Sequence, residues 1–218
     1  MRCLKGGFTS HTLLGLLLHC MGTSALSLLE RSVRTLDILY PKASYLDRKV
    51  SARNAALSTG GRSEDGIPLA GHGLVYGEFD LSFFSRLLDA AGPVEGDTFV
   101  DLGSGVGRLV LAAALLHPDS WISCHGIELL PELHNAAIDA RLQLDNLPPP
   151  HCSIPLAPCE YSVLDVYGTG AAAALGNADV CFSYSVTWER DEQGRLTELS
   201  HLLANRLKVI RLFASVIF

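Results

Sequence analysis

The sequence predicts an α/β fold with a doubly wound, mainly parallel sheet, and three observations carry that expectation. From Phe79 onward, short apolar runs of strand length alternate with longer stretches of helical periodicity. Three of the apolar runs end on or run into an acid: Asp101, Glu128 and Asp165. The first of them leads into a glycine-rich turn, Gly103-Ser104-Gly105-Val106-Gly107, directly before a helical stretch. Parallel strands joined by crossover helices expose their carboxyl ends as the place for a ligand.

The elements follow in order. Residues 79–91 form a helix with Leu81, Phe84, Leu87 and Leu88 on one face, stopped by Ala91-Gly92-Pro93. Residues 98–102 are the first strand, and residues 108–117, rich in Leu and Ala, form a helix that ends before Pro118. Residues 121–127 are the second strand, ending at Glu128. Residues 131–144 are the next helix, broken by Pro148-Pro149-Pro150. Residues 160–164 form a third strand running into Asp165, and residues 170–175 an Ala-rich turn of helix. Residues 178–184 are a fourth strand, residues 197–207 a helix, and residues 208–218 are apolar enough for a fifth strand. Beyond that strand a further helix and an antiparallel hairpin are expected. The sequence stops instead at Val216-Ile217-Phe218, which reads as an incomplete chain lacking its C-terminal hairpin, or as a sheet with an uncovered edge.

The chain has 218 residues, 48% hydrophobic and 18% charged, enough to bury the core of one domain with a short appendage. No stretch reaches the roughly 20 apolar residues of a spanning helix, so multi-span membrane insertion is excluded. Six cysteines without a Cys-x-x-Cys pair encode neither a zinc ribbon nor a redox dithiol, and no metal site is expected. Residues 1–62 hold nine Lys or Arg against three acids, whereas residues 63–218 hold eight against twenty. An acidic body gathers phosphate backbones poorly, so there is no strong nucleic-acid signal.

Three segments are expected: 1–29, a targeting or hydrophobic leader; 30–73, a helical and linker segment; and 74–218, the ligand-binding domain. The leader has a positive start (Arg2, Lys5), an apolar centre at 13–18 and small residues up to Ala25, the order of a cleaved signal. An amphipathic N-terminal helix of the domain is the alternative; His19 and Gly22 interrupt any spanning helix. Residues 31–62, with seven basic residues, are similar to an organellar transit peptide or form a solvated helical cap through Arg31, Arg34, Leu36, Leu39 and Tyr40. An organelle is the destination if the leader is a signal, the nucleus or cytoplasm otherwise.

The glycine turn is spaced G-x-G-x-G, not the G-x-G-x-x-G of a pyrophosphate binder. Asp101, two residues before Gly103, would repel a pyrophosphate but suits a cationic amino group. Gly103 and Gly105 let the backbone come close to such a ligand, with Ser104 and Gly107 in the same loop. Glu128, ending the second strand, can accept both ribose hydroxyls of an adenosine. Asp165 stands where a side chain can accept the adenine amino group. Amino group, ribose and adenine together point to S-adenosylmethionine as the cofactor and to a class I methyltransferase fold, Rossmann-like in its winding. The plainer alternatives are Asp101 as a helix cap, Glu128 as a surface strand end and Asp165 as a turn residue.

Leu74-Val75-Tyr76-Gly77-Glu78, then residues 99–107, then Gly126-Ile127-Glu128 together resemble the Dot1-type histone-lysine methyltransferases over about residues 74–188. The resemblance implies that Tyr76 and Glu78 lie in a loop over the methionine end of the cofactor, while Asp101, Gly103 and Glu128 hold it. It implies methyl transfer to a protein lysine, histone-type. The chain departs from that family's pattern at Phe79, where Thr is usual, at Arg108, where Gln is usual, and at Ser183-Tyr184-Ser185, where Asn-Asn-Phe lines the lysine channel. Cofactor binding therefore carries over more directly than lysine specificity.

On the acceptor side the candidates are Tyr76, Glu78, Ser183, Tyr184 and Trp188, of which Tyr76, Glu78 and Tyr184 are the catalytic ones and Ser183 also borders the cofactor. Tyr184 and Trp188 can wall a cationic amine or simply pack a strand end. His72 is a possible proton acceptor, and His125 reads as a satisfied core histidine. The acceptor expected is a protein, histone-type, with another protein site or a small molecule as alternatives, and a methyltransferase-shaped binding protein without turnover as the reading from another class.

Overall fold

The computed structural model describes residues 27–58, 77–184, 191–206 and 212–215. Two helices come first, α1 (Leu28–Leu39) and α2 (Tyr45–Ser58). A capping box starts α1: the Glu30 amide donates to Ser27 Oγ at 3.2 Å and the Ser27 amide to Glu30 Oε2 at 2.8 Å. Two buried polar side chains on its inner face find partners. Ser32 Oγ donates to the Leu115 carbonyl at 3.4 Å, and Thr35 Oγ1 lies 2.8 Å from His151 Nδ1. Leu36, Tyr40, Ala52 and Ala55 are buried, so this segment shares the core of the domain that follows.

Next comes α3 (Leu81–Ala91), which starts two residues later than helical periodicity suggests because Asp80 caps it, its Oδ1 accepting from the Phe83 amide at 2.7 Å. The strands and helices then alternate: β1 (Asp97–Leu102), α4 (Arg108–Leu116), β2 (Trp121–Glu128), α5 (Pro131–Asp145), β3 (Cys159–Val163), α6 (Ala172–Asn177), β4 (Val180–Ser183), α7 (Thr197–Arg206) and β5 (Leu212–Ser215). Of the expected fifth strand, residues 208–211 and 216–218 lie outside the described residues. Four expected strands and the helices between them shift by no more than about two residues at either end, the ordinary fraying of element boundaries.

The five strands form one sheet of order β3-β2-β1-β4-β5, every pairing parallel. Connections run from β1 outward to β3, then cross back to β4, so the winding reverses between β1 and β4. Alternate β1 residues feed opposite faces: Phe99 joins one core cluster, Val100 and Leu102 the other. The Phe99 cluster is covered by α3, α4 and α5, and the Val100 cluster by α6 and α7. Residues 109–115 of α4 are all buried, because α4 is sandwiched between the sheet and α1. That placement explains a helix apolar all round. Among the described residues no helix is long and apolar enough to cross a membrane.

Candidate functional site

The strand register brings the sequence-predicted acids to one end of the sheet. Asp101 stands opposite Gly126 and Leu102 opposite Ile127 on the β2 side, with Leu102 opposite Ser183 on the β4 side. Glu128 closes β2 one residue further. This is the carboxyl edge at the reversal of winding, where open parallel sheets form their binding crevice.

The glycine loop is held down onto that edge. The Gly103 and Ser104 amides donate to the Ile127 carbonyl at 2.8 and 3.0 Å. Gly103, Gly105 and Gly107 all have positive φ (73°, 56° and 74°), and no other residue type adopts such a conformation among the described residues. At Gly107 a Cβ would also lie 2.7 Å from the Tyr161 ring and 2.8 Å from Ala137 Cβ, so both backbone angle and space demand glycine there.

Glu128 is 7% exposed and is not a surface strand end. Its Oε2 accepts from the Gly105 amide at 2.8 Å, and its Oε1 from the Leu129 and Leu130 amides at 2.8 and 2.9 Å. The carboxylate thus ties the glycine loop to the start of α5. A carboxylate offers about four lone-pair positions, so one remains on Oε2. The expected bidentate grip on two ribose hydroxyls would need Gly105 to share or yield its place. Burial raises the Glu128 pKa, against the pull of the three backbone donors.

Asp101 is buried as well, and it is not a helix cap, since Gly107 occupies that position on α4. Burial first, and the nearby Glu128 second, push Asp101 up to about 8. Two desolvated carboxylates at neighbouring strand ends favour a cation between them. Ser104 Oγ is buried without a hydrogen-bond partner, as is the hydroxyl of Tyr161. An adenosyl ligand with a cationic amino group and hydroxyls fits this set: acids for the amino group and ribose, bare loop backbone and an unsatisfied hydroxyl beside it.

Asp165 lies two residues beyond β3 and shapes the turn, its Oδ1 accepting from the Tyr167 amide at 2.9 Å. Ser183 is fully buried at the end of β4, its Oγ 3.5 Å from the Leu102 carbonyl. Tyr184 follows it and packs edge-on to Phe79 at 5.4 Å, and Phe79 packs on Phe182 at the same distance. A Cβ on Gly77 would lie 2.8 Å from the Tyr184 ring, so the Gly77-Glu78-Phe79 segment seats directly on the end of β4. Glu78 is ion-paired with Arg48 of α2. His125 is satisfied by Ser162, with Nε2 2.9 Å from its Oγ. Tyr76, His72 and Trp188 lie outside the described residues. Among the described residues no group of His, Cys, Asp and Glu is placed to hold a metal.

Four residues here were not singled out for the site by sequence reasoning. Arg48 pairs with Glu78, Tyr40 donates its hydroxyl to the Val106 carbonyl, and Tyr161 underlies Gly107 and Gly126. Arg108, a departure from the family pattern, donates from Nη1 to the Phe79 carbonyl at 2.8 Å and so ties the start of α4 to the Glu78 segment. Tyr161 reaches both glycines because it pairs in register with Gly126 across β2 and β3, a placement that no local sequence pattern signals.

A parallel sheet of this order, with a glycine loop after β1 and an acid closing β2, defines a class I methyltransferase fold. Within that class, the model of the family described as "Histone methylation protein DOT1" matches residues 70–210, and the chain belongs to that family. Two histone-lysine N-methyltransferases specific for H3 lysine-79 are similar to parts of it. The one from Emericella nidulans is 40% identical over 79 residues, 34% of this chain, and the one from Gibberella zeae 40% over 73 residues, 33% of this chain. These matches span only 16% and 14% of those relatives' own lengths. Among solved structures, an RNA methyltransferase from Salinibacter ruber in complex with S-adenosyl-L-homocysteine is 21% identical with a TM-score of 0.42, covering 61% of this chain and 72% of that one. An rRNA methyltransferase from Streptomyces viridochromogenes is 19% identical with a TM-score of 0.44, covering 65% and 74%.

Proposed function

We infer that the chain binds S-adenosylmethionine at the carboxyl ends of β1 and β2 and methylates a protein lysine, with a histone as the acceptor. The observation that carries the cofactor half of this reading is the buried Glu128 clamped under the glycine loop, with buried Asp101 on the adjacent strand. Membership of the DOT1 family and the two H3 lysine-79-specific relatives support the acceptor half.

When bound, the cofactor supplies an electrophilic methyl group on a sulfonium, a good leaving group. What remains for the protein is alignment and exclusion of water. Asp101 and Glu128 would take the amino and ribose ends, and Ser104 Oγ is at hand for a further hydrogen bond. The Gly77-Glu78-Phe79 segment, held against Tyr184, walls the acceptor side. A lysine must arrive at the methyl carbon as the neutral amine, so a proton has to leave it first. Glu78, in the segment that walls the acceptor side, is a candidate for that task, but its Oε1 is engaged by Arg48. On taking a proton it would surrender that ion pair, whereas as a binding group it keeps it. Its role is therefore to bind and orient.

Incubating the chain with methyl-labelled cofactor and separate histone, total-protein and metabolite fractions tests the reading. Label on histone lysine is the expected result. Label only in the metabolite fraction, or none anywhere, would sink the acceptor assignment. A histone acceptor implies work in the nucleus, whereas a working signal within residues 1–25 would direct the chain to an organelle. A fluorescent protein fused behind residues 1–62 distinguishes the two.

A further inference from the structure

The two N-terminal helices hold both sides of the site. From α2, Arg48 Nε donates to Glu78 Oε1 at 2.9 Å, Nη2 donates to the same oxygen, and Nη1 donates to the Pro41 carbonyl at 3.2 Å. The two side chains are only 15% and 16% exposed, so the pair is largely shielded from solvent. Removing one member would leave the other charge poorly solvated. From the end of α1, the buried Tyr40 donates its hydroxyl to the Val106 carbonyl at 2.9 Å, within the glycine loop. These partners lie 30 and 66 residues apart in sequence, so neither bond belongs to a local turn.

We propose that Arg48 is a positioning residue of the cofactor site, fixing Glu78 and its segment at the end of β4, and that Tyr40 does the same for the glycine loop. The proposal rests on the S-adenosylmethionine reading above. The planar guanidinium sets direction as well as charge, because its N–H groups leave in a fixed fork and the third arm is anchored on Pro41. A lysine ammonium supplies a point charge without that fork. Helices that read as a basic leader or cap in the sequence therefore become part of the ligand site itself.

Titration of the full chain with S-adenosylhomocysteine by calorimetry, alongside thermal melts, tests this. Arg48→Gln and Glu78→Gln should each raise Kd about tenfold, the scale of one lost charge-assisted hydrogen bond. The double variant should lose little more than either single variant, since both remove the same contact. Arg48→Lys should recover the melting temperature but only part of the affinity, and Tyr40→Phe should raise Kd by about threefold, the scale of a neutral hydrogen bond. Wild-type Kd in Arg48→Gln with a lowered melting temperature would overturn the proposal, leaving the pair a scaffold contact. So would single-variant losses that multiply in the double variant. If Arg48→Gln does not fold, Arg48→Lys decides: unchanged Kd there equally overturns it. A wild-type chain that binds no S-adenosylhomocysteine would sink the cofactor reading and this proposal with it. A wild type that binds, with Arg48 variants indistinguishable from it, sinks this proposal alone.

Discussion

Asp101 makes the stability of the fold sensitive to pH in a direction set by its burial. It is raised to about 8 in the fold, whereas an exposed aspartate titrates near 4. Between those values the folded state keeps a proton that the unfolded state has lost. The stability of the neutral form is thus whole below about pH 4 and drains away as pH rises through about 8. A cationic amino group has the opposite preference, since it stabilises the ionised carboxylate. Affinity for S-adenosylmethionine should therefore increase from about pH 5 to about pH 7, as less free energy goes into removing the proton while the ligand's own amino group, which titrates at about 8, stays cationic. Asp101→Asn, a neutral isostere, should melt higher than wild type at about pH 8, melt alike at about pH 4, and weaken cofactor binding by about 1–3 kcal/mol. Melts and calorimetry at the two pH values check all three; a melting difference that ignores pH would show that the Asp101 proton is not the cause.

At the scale of elements, β2 and the glycine loop pack closely enough to demand glycine at Gly126. Gly126 pairs with Asp101 in register, and a Cβ there would lie 2.7 Å from Ser104 Oγ and 3.0 Å from both Ser104 Cβ and the Tyr161 ring. Gly126→Ala should cost about 1–3 kcal/mol of stability through overpacking and should weaken cofactor binding by displacing the loop. A Gly126→Ala chain that melts and binds like wild type would mean the loop has slack that its contacts deny. The strands and their terminal acids were legible because period, apolar run length and a glycine turn are local signals. So was the place of Glu128 at the end of β2, though not its three backbone donors, which come from a loop 23 residues back and from the next helix start. The Arg48–Glu78 pair was not legible at all: Arg48 sits among other basic residues, and nothing in the sequence around it points to a partner 30 residues on. The burial of the inner face of α1 was not legible either, because Ser32 and Thr35 look like surface residues until Leu115 and His151 supply their partners.

At the scale of the molecule, the N-terminal helix pair buries Leu36, Tyr40, Ala52 and Ala55 in the same core cluster as one face of the sheet, and the other face has a core of its own. The capping box at Ser27 and Glu30 satisfies amides at the start of α1 from within that first turn. Deleting residues 1–25 should shift the melting temperature by less than about 2 °C, since a shift of 2–4 °C per kcal/mol is the scale for a chain of this size. Deleting residues 1–58 instead removes Leu36, Tyr40, Ala52 and Ala55 from the core and should lower it by about 10 °C or abolish folding. Equal melts for the two deletions would contradict the place given to α1 and α2. The central claim, that the crevice at the ends of β1 and β2 is a cofactor site gripped by Glu128, is tested most directly by titrating S-adenosylmethionine into the wild-type chain and into Glu128→Ala. Saturable one-to-one binding to the wild type, weakened by about 1–3 kcal/mol in the variant, is the expected result; no binding to the wild type, or equal affinity in both, would contradict it.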